Sequence, residues 1–316
     1  MSTADSVRLV EVGPRDGLQN ERGVISTATK LELIERLAAA GLHNIEATAF
    51  VSPKWVPQMA DHSEIMQALM QRSSQWPDVR FPALVPNLKG LEAALETGCR
   101  EIAIFAAASE TFSQKNINCS IAESLARFEP VVQLAQSAGV EIRGYISCVV
   151  ACPYEGSVAP QRVAPLAKAL LDLGCYEVSL GDTIGAGTPA QVHALCETVS
   201  AQVPPTQLAG HFHDTWGMAC ANVVAALSHG VRVFDSSVAG LGGCPYAAGA
   251  TGNVATEDLV YLLHGMGHET GVDLNGLVDT AWWISAQLGR EPVSHVARAL
   301  EAQRERTCTQ PKKTAR

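Results

Sequence analysis

The sequence predicts an α/β protein, a closed (β/α)8 TIM barrel with extra helices at its carboxyl end. An amphipathic run ending in Gly and followed at once by a β-rich stretch occurs five times: LAAAGLHNIEA, LETGCREIAI, SAGVEIRGYI, LDLGCYEVSL and LSHGVRVFDSS. Each Gly reads as a helix stop that launches a strand. These glycines, at 41, 98, 139, 174 and 230, lie 57, 41, 35 and 56 residues apart, so the two longest gaps are nearly double the shortest. Each long gap holds a further strand without the Gly signal, RFPALV at 80–85 and QLAGHFH at 207–213. The apolar opening run at 7–12, VRLVEV, completes eight. Strands alternating with helical patterns pair in parallel, and eight of them imply closure. A doubly wound open sheet is the alternative, but the turn after the first strand, GPRDGL, lacks the GxGxxG spacing of a dinucleotide site.

Beyond the eighth strand, helical patterns at 257–265 and 279–288 read as capping helices. Residues 1–302 form one catalytic domain on this reading. The polar, basic tail at 303–316, QRERTCTQPKKTAR, is expected to be disordered.

Composition narrows the function. The 316 residues are 47% hydrophobic and 17% charged, with a net charge of -9, which argues against a nucleic-acid partner. No apolar run reaches the ~18 residues of a membrane span. The start, MSTADSVRLV, resembles neither a secretory signal nor an Arg-rich transit peptide, so a cytoplasmic protein is expected. Nine cysteines without a CxxC pair argue against a zinc ribbon and a disulfide framework.

In a barrel, the strand ends collect the chemistry on one face. Gly13-Pro14 stops the first strand and sets Arg15, Asp16 and Gln19 just beyond it, with Glu11 at the strand's end. The second strand presents Glu46, the fifth Arg143 and Tyr145, and the sixth Ser179 and Asp182. His211 and His213 sit two apart on the seventh, so both imidazoles face the mouth while Phe212 packs outward. With Asp16 and Asn253 they make a set of two nitrogen and two oxygen donors. Those oxygens favour Mg²⁺ or Mn²⁺, although Zn²⁺ is chemically possible. A non-haem iron site is a further reading of two histidines and a carboxylate. The plainer one has one core histidine and one solvent-facing. The glycine-rich loop GLGGCPYAAGATGN carries Cys244, a thiol that nearby positive charge and loop closure could ready for proton transfer. A merely tight or phosphate-holding turn is the other reading of its glycines.

Together EVGPRDGLQNE, IEATAFVSPKWVPQMAD, KNINCSI, ACPYEG, SLGDTIGAGTP, HFHDTWG and GLGGCPYAAGATGNVATEDLVYLL resemble the 3-hydroxy-3-methylglutaryl-CoA lyase family, in order and spacing, over residues 7–300. The resemblance implies metal-assisted retro-Claisen cleavage of that acyl-CoA to acetyl-CoA and acetoacetate. On it, Asp16, His211, His213 and Asn253 match the metal ligands, Arg15 the arginine that polarises the thioester carbonyl, and Cys244 the catalytic cysteine. Asp182 ranks first as base, ahead of a histidine. Gln19 and Arg143 are candidate substrate anchors, Arg143 having a paired interior role as its alternative. Glu11 and Glu46 are expected to orient the arginine or the ligands. A homo-oligomer, with a dimer favoured, is expected. The alternatives are a lyase for a larger 3-substituted 3-hydroxyglutaryl-CoA, an acyl-CoA-dependent synthase acting on a 2-oxo acid, and a scaffold with a vestigial site.

Overall fold

The computed structural model describes residues 6–243 and 252–309, with side chains as far as 307. Eight parallel strands form one sheet. They are β1 (Arg8–Glu11), β2 (Thr48–Ala49), β3 (Ala83–Leu84), β4 (Glu101–Ala107), β5 (Glu141–Ser147), β6 (Glu177–Asp182), β7 (Leu208–Phe212) and β8 (Val233–Ser236). They follow chain order around the sheet, and β1 pairs with β8. At the remaining seam the Glu11 amide donates to Asn44 O at 2.8 Å and the Glu46 amide to Glu11 O at 2.8 Å, which closes the barrel. All eight expected strands are present. Those at 7–12, 43–48 and 80–85 are shorter than their apolar runs, and the flanking residues pair through isolated bridges instead.

Besides α2 (His62–Gln71), α4 (Glu110–Ile117) and α7 (Pro189–Ser200), the sheet is wrapped by five helices that a glycine closes, α1 (Thr27–Ala39), α3 (Leu88–Glu96), α5 (Ile121–Ser137), α6 (Pro160–Leu173) and α8 (Ala219–Ser228). The glycines that close them, 41, 98, 139, 174 and 230, all have positive φ, between 70° and 127°. That conformation is strained for any residue with a Cβ, so the repeated Gly signal marks a backbone requirement. Apolar residues of strands and helices join in one large core, with Cys175 and Cys196 within it as small buried residues, and Val10, Val12, Ala209 and Val233 form a second, small cluster. Among the described residues no helix is long and apolar enough to cross a membrane.

Three helices, α9 (Thr256–Gly265), α10 (Leu274–Gln287) and α11 (His295–Thr309), follow the barrel. α11 differs from the expectation of a disordered tail after residue 302: it continues through Thr309, and Arg304 bonds Asp279 and Asn275 of α10. Residues 310–316 of that tail lie outside the described residues.

One buried ion pair fixes the long connection after β2. Lys30 on α1 is 2% exposed and donates to both Asp61 oxygens, at 2.8 and 2.9 Å, and to Gln58 O. A single ammonium thereby ties the first and second strand-to-helix connections together. Removing one partner of a buried pair leaves the other charge uncompensated. Lys30→Met should cost about 3 kcal/mol in urea denaturation, and a loss under about 1 kcal/mol would show the bond to be worth no more than a surface pair.

Candidate metal centre

The site begins with a π-turn. The Gly17 amide donates to Val12 O at 3.1 Å, closing the five residues Gly13–Gly17 at the end of β1 and turning Arg15 and Asp16 toward the barrel mouth. Such turns widen a helix locally and recur at functional sites. Gly17 is required by close packing, since a Cβ there would meet Leu241 Cβ and Ser237 Oγ at 2.8 Å.

Strand alternation on β7 sets His211 inward and His213 just past the strand end, with ring centroids 5.3 Å apart, while Phe212 is buried toward the helices. Ligand atoms of Asp16, His211 and His213 all lie within 4.8 Å of one another. Among the described residues this is the one cluster of three or more such side chains close enough to share an ion. Asn253 arrives from the far side of the glycine loop. Residues 252–255 return as a short extended segment, in which Asp214 N bonds Gly252 O at 3.0 Å and Val254 N bonds Phe212 O at 3.1 Å. This pairs Asn253 with His213. Asn253 Nδ2 donates to Asp16 Oδ2 at 2.9 Å and to Leu241 O at 3.3 Å, leaving Oδ1 as the amide's acceptor.

The electrostatics favour an anionic Asp16 and a neutral His213. Burial pushes the Asp16 carboxyl up, but Arg15, both histidines and the Asn253 amide outweigh it and hold it at about 2. Burial and the neighbouring His211 bring His213 down to about 4, so its ring is neutral near pH 7. For His211 burial also works downward, yet the bond to Asp235 and the charges of Asp235 and Asp16 leave it raised. His213 Nδ1 is buried with no hydrogen-bond partner among the described residues. A buried, unpaired lone pair beside a carboxylate and a second imidazole is a costly arrangement without an electrophile. The donor set therefore fits a divalent cation.

Arg15 is 6% exposed. It donates through Nε to Glu46 Oε2 at 2.7 Å, with Nη2 ion-paired to the same oxygen at 2.7 Å, and through Nη1 to Asp16 Oδ1 at 2.6 Å. Its pKa is raised, since Glu46 and Asp16 outweigh the opposing effect of burial. Glu46 thus orients the arginine, while its Oε1 is buried without a described partner. Glu11 has a wider task. Its Oε1 accepts from Gly13 N at 2.8 Å and Val238 N at 2.9 Å, and its Oε2 from Thr256 Oγ1 at 2.7 Å. Gln19 Nε2 lies 3.4 Å from Asp16 Oδ1, so it faces the cluster at the limit of a hydrogen bond.

Two candidates stand apart from the cluster. Arg143 is 1% exposed inside the barrel and donates to Glu177, Asp235 and the Tyr145 hydroxyl, the paired interior arrangement that was its alternative. Asp182 has both oxygens on its own loop, Oδ1 accepting from Ala186 N at 3.2 Å and Oδ2 from Gly187 N at 2.8 Å. Burial raises its pKa against those two bonds and against His211 nearby. Asp182 therefore adjoins the cluster without bonding to it. Cys244 lies outside the described residues. The stem of its loop is described: Asn20 Nδ2 holds Gly243 O at 3.1 Å, and a Cβ on Gly252 would meet Gly242 C at 2.5 Å, so the two arms cross in contact. Sequence reasoning missed Asp235, which accepts from His211 Nδ1 at 3.1 Å. The available signal was parity: Val233, Asp235 and Ser237 alternate with Phe234 and Ser236, as His211 and His213 do about Phe212.

Comparison with known proteins agrees with this geometry. The HMGL-like family signature matches residues 6–284. The chain belongs to the HMGL-like family. It is 59% identical over 297 residues to the hydroxymethylglutaryl-CoA lyase of Pseudomonas mevalonii, covering 94% of this chain and 97% of that one. It is 58% identical over 302 residues to a Pseudomonas aeruginosa protein named 3-hydroxy-3-isohexenylglutaryl-CoA/hydroxy-methylglutaryl-CoA lyase, covering 96% and 99%. A crystal structure of hydroxymethylglutaryl-CoA lyase from Pseudomonas aeruginosa superposes with a TM-score of 0.91 at 58% identity, covering 95% of this chain and 98% of the other.

Mn²⁺ at a hundred times its Kd should stabilise the wild-type protein by about 2.7 kcal/mol. Thermal unfolding with and without chelator should show that gain, and Asp16→Asn should abolish it; a gain that survives in Asp16→Asn would place the ion elsewhere.

A second expectation concerns pH. Burial raises Glu11 from 4.5 to about 7 and, with nearby Glu11 and Asp258 adding to it, Glu257 from 4.5 to about 8, over the bonds each accepts. Between pH 4.5 and those values the folded chain keeps these protons and the unfolded chain loses them. Stability therefore falls as pH rises through this window, by at most about 1.4 kcal/mol per unit for each group. Urea midpoints between pH 5 and 8 should fall less steeply in Glu257→Gln than in wild type, and equal slopes would rule out a buried neutral Glu257.

Proposed function

We propose that this protein cleaves 3-hydroxy-3-methylglutaryl-CoA to acetyl-CoA and acetoacetate. The observation that carries the reading is the Asp16, His211, His213 cluster with Arg15 bonded to its edge, at the mouth of a barrel whose relatives are named as lyases for this acyl-CoA. Asp16, His211, His213 and Asn253 would hold Mg²⁺ or Mn²⁺, which when bound would acidify the tertiary hydroxyl of the substrate and fix its carboxylate end.

The remaining work falls to the chain's own residues. The hydroxyl proton leaves, the C2–C3 bond breaks as the ketone of acetoacetate forms, and the electron pair moves into the enolate of acetyl-CoA. Arg15, held at full charge by Glu46 and Asp16, stabilises the developing negative charge on the thioester oxygen. Asp182 takes the hydroxyl proton; burial raises its proton affinity, and each oxygen keeps a second lone pair beside its backbone bond. Cys244, on the loop whose stem is clamped at Gly242 and Gly252, returns a proton to the enolate carbon. Half-buried Tyr145 lies under both arginines, with the Arg15 guanidinium 5.8 Å from its ring, and forms the wall against which that charge is fixed.

One observation favours a second reading of substrate range. The Pseudomonas aeruginosa relative, at 58% identity, carries two substrates in its name that differ in the size of the group on C3. A pocket that accepts the longer branch would leave every catalytic role above unchanged.

Protein supplied with Mn²⁺ should release acetoacetate from 3-hydroxy-3-methylglutaryl-CoA. Arg15→Met should lower kcat by about 10²–10³ and Cys244→Ala by about 10²–10⁴, with Mn²⁺ affinity retained in Cys244→Ala. Turnover of 3-hydroxy-3-isohexenylglutaryl-CoA but not the methyl compound would establish the second reading. Consumption of acetyl-CoA with a 2-oxo acid and no cleavage would overturn both.

A further inference from the structure

We infer that Asp235 is a positioning residue that selects which nitrogen of His211 faces the metal centre, and that Arg143, held in turn by Glu177 and Arg8, locks it in place. The inference rests on the metal-centre reading above and deepens it.

Asp235 is the third residue of β8, in register with His211 on the neighbouring β7. Both project into the barrel, and Asp235 is 2% exposed. Its two oxygens take four donors. Oδ1 accepts from Arg143 Nη2 at 2.7 Å, and Oδ2 accepts from Arg143 Nη1 at 3.2 Å, Ser179 Oγ at 2.8 Å and His211 Nδ1 at 3.1 Å. A carboxylate has room for about four such bonds. Asp235 is saturated, and turning it would break the bidentate arginine bond.

An ionised carboxylate only accepts, so the hydrogen between the two groups belongs to His211 Nδ1. In the neutral ring the lone pair then sits on Nε2. This is the tautomer control that a carboxylate behind a ligating histidine exerts. His213 has no equivalent, its Nδ1 being unpaired among the described residues. The two histidines are therefore not interchangeable, although the sequence presents them as a symmetric pair.

Behind Asp235 the charges alternate down the barrel. Arg143 Nε donates to Glu177 Oε1 at 2.8 Å, and the other Glu177 oxygen takes Arg8 Nη2 at the amino-terminal end of the strands. Two cations and two anions in one file neutralise each other, which is the condition for burying them. Geometry set at the far end of the barrel is thus carried to the ligand by a rigid chain of charge-assisted bonds. Arg143 acts on the metal centre only through Asp235.

Binding of Mn²⁺ alone, followed by loss of the free-ion EPR signal, tests this without substrate. Asp235→Asn can present an amide N–H to Nδ1 and reverse the tautomer. It should weaken Mn²⁺ binding by roughly 10- to 100-fold and alter the visible spectrum of the Co²⁺ form while far-UV circular dichroism is kept. Lys30→Met serves as the stability control and should bind Mn²⁺ within about 2-fold of wild type, because it breaks a buried pair away from His211. The paired variant Asp235→Asn with Arg143→Met leaves no unpaired arginine beside residue 235 and carries the same expectation if the single variant does not fold. In the wild-type chain, ¹⁵N shifts of neutral His211 should report the Nδ1–H tautomer. An Nε2–H tautomer, or folded Asp235→Asn with wild-type Mn²⁺ affinity, overturns the inference. Wild-type protein that binds no Mn²⁺ overturns it together with the metal centre. Mn²⁺ binding without cleavage of the acyl-CoA overturns the proposed function alone.

Discussion

The buried carboxyl of Glu11 is the constraint on which the site depends. Its oxygens gather the π-turn that carries Asp16, the segment after β8 that leads into the glycine loop, and Thr256 at the head of α9 just beyond Asn253. The first lies more than two hundred residues from the other two, and among the described residues no other side chain bonds all three. Losing the carboxyl would leave the Gly13 and Val238 amides unsatisfied in a place closed to water, which costs more than the bonds themselves contribute. Asp16 and Asn253, from opposite ends of the chain, meet because one side chain holds their supports in register.

The same interior divides its carboxyls into two groups. Asp16, Glu46, Asp235 and Glu177 each touch an arginine, and the pull of that charge lowers Asp16 and Asp235 in spite of burial. Glu11 and Glu257 have only neutral donors, and burial raises both. The barrel mouth holds negative charge where an ion or substrate can use it, while the surrounding brackets remain neutral. Uncompensated charges at all six positions could not be buried together.

What the sequence shows and what it hides follow from range. The five helix-stopping glycines were legible because the demand they meet is local, a positive φ at one residue. HFH was legible for the same reason, since two-residue alternation needs no knowledge of the partner strand. Arg143 was ambiguous because its partners Glu177 and Asp235 lie on strands whose register the sequence does not state. Asp235 was invisible as a site residue: in VRVFDSS it reads as a strand polar residue, and only the pairing of β8 with β7 brings it to His211. α11 was misread because its polar residues are answered by Asp279 and Asn275 on α10, so composition suggested disorder where ion pairing supplies order.

A barrel that separates these tasks can change substrate without rebuilding its chemistry. Fixed charge sits on strand ends and on the π-turn, where the backbone is part of the sheet or is tied back to Val12 at the end of β1. The proton donor assigned to Cys244 belongs instead to a loop whose stem is held by the Gly242–Gly252 crossing and the Asn20 bond. Rigidity is needed where an ion must meet four donors at set distances, and freedom where a thiol must approach only after an acyl-CoA has entered. The width of the space around C3 is a property of neither group. Two relatives nearly equally similar to this chain can therefore carry names that differ in that width alone.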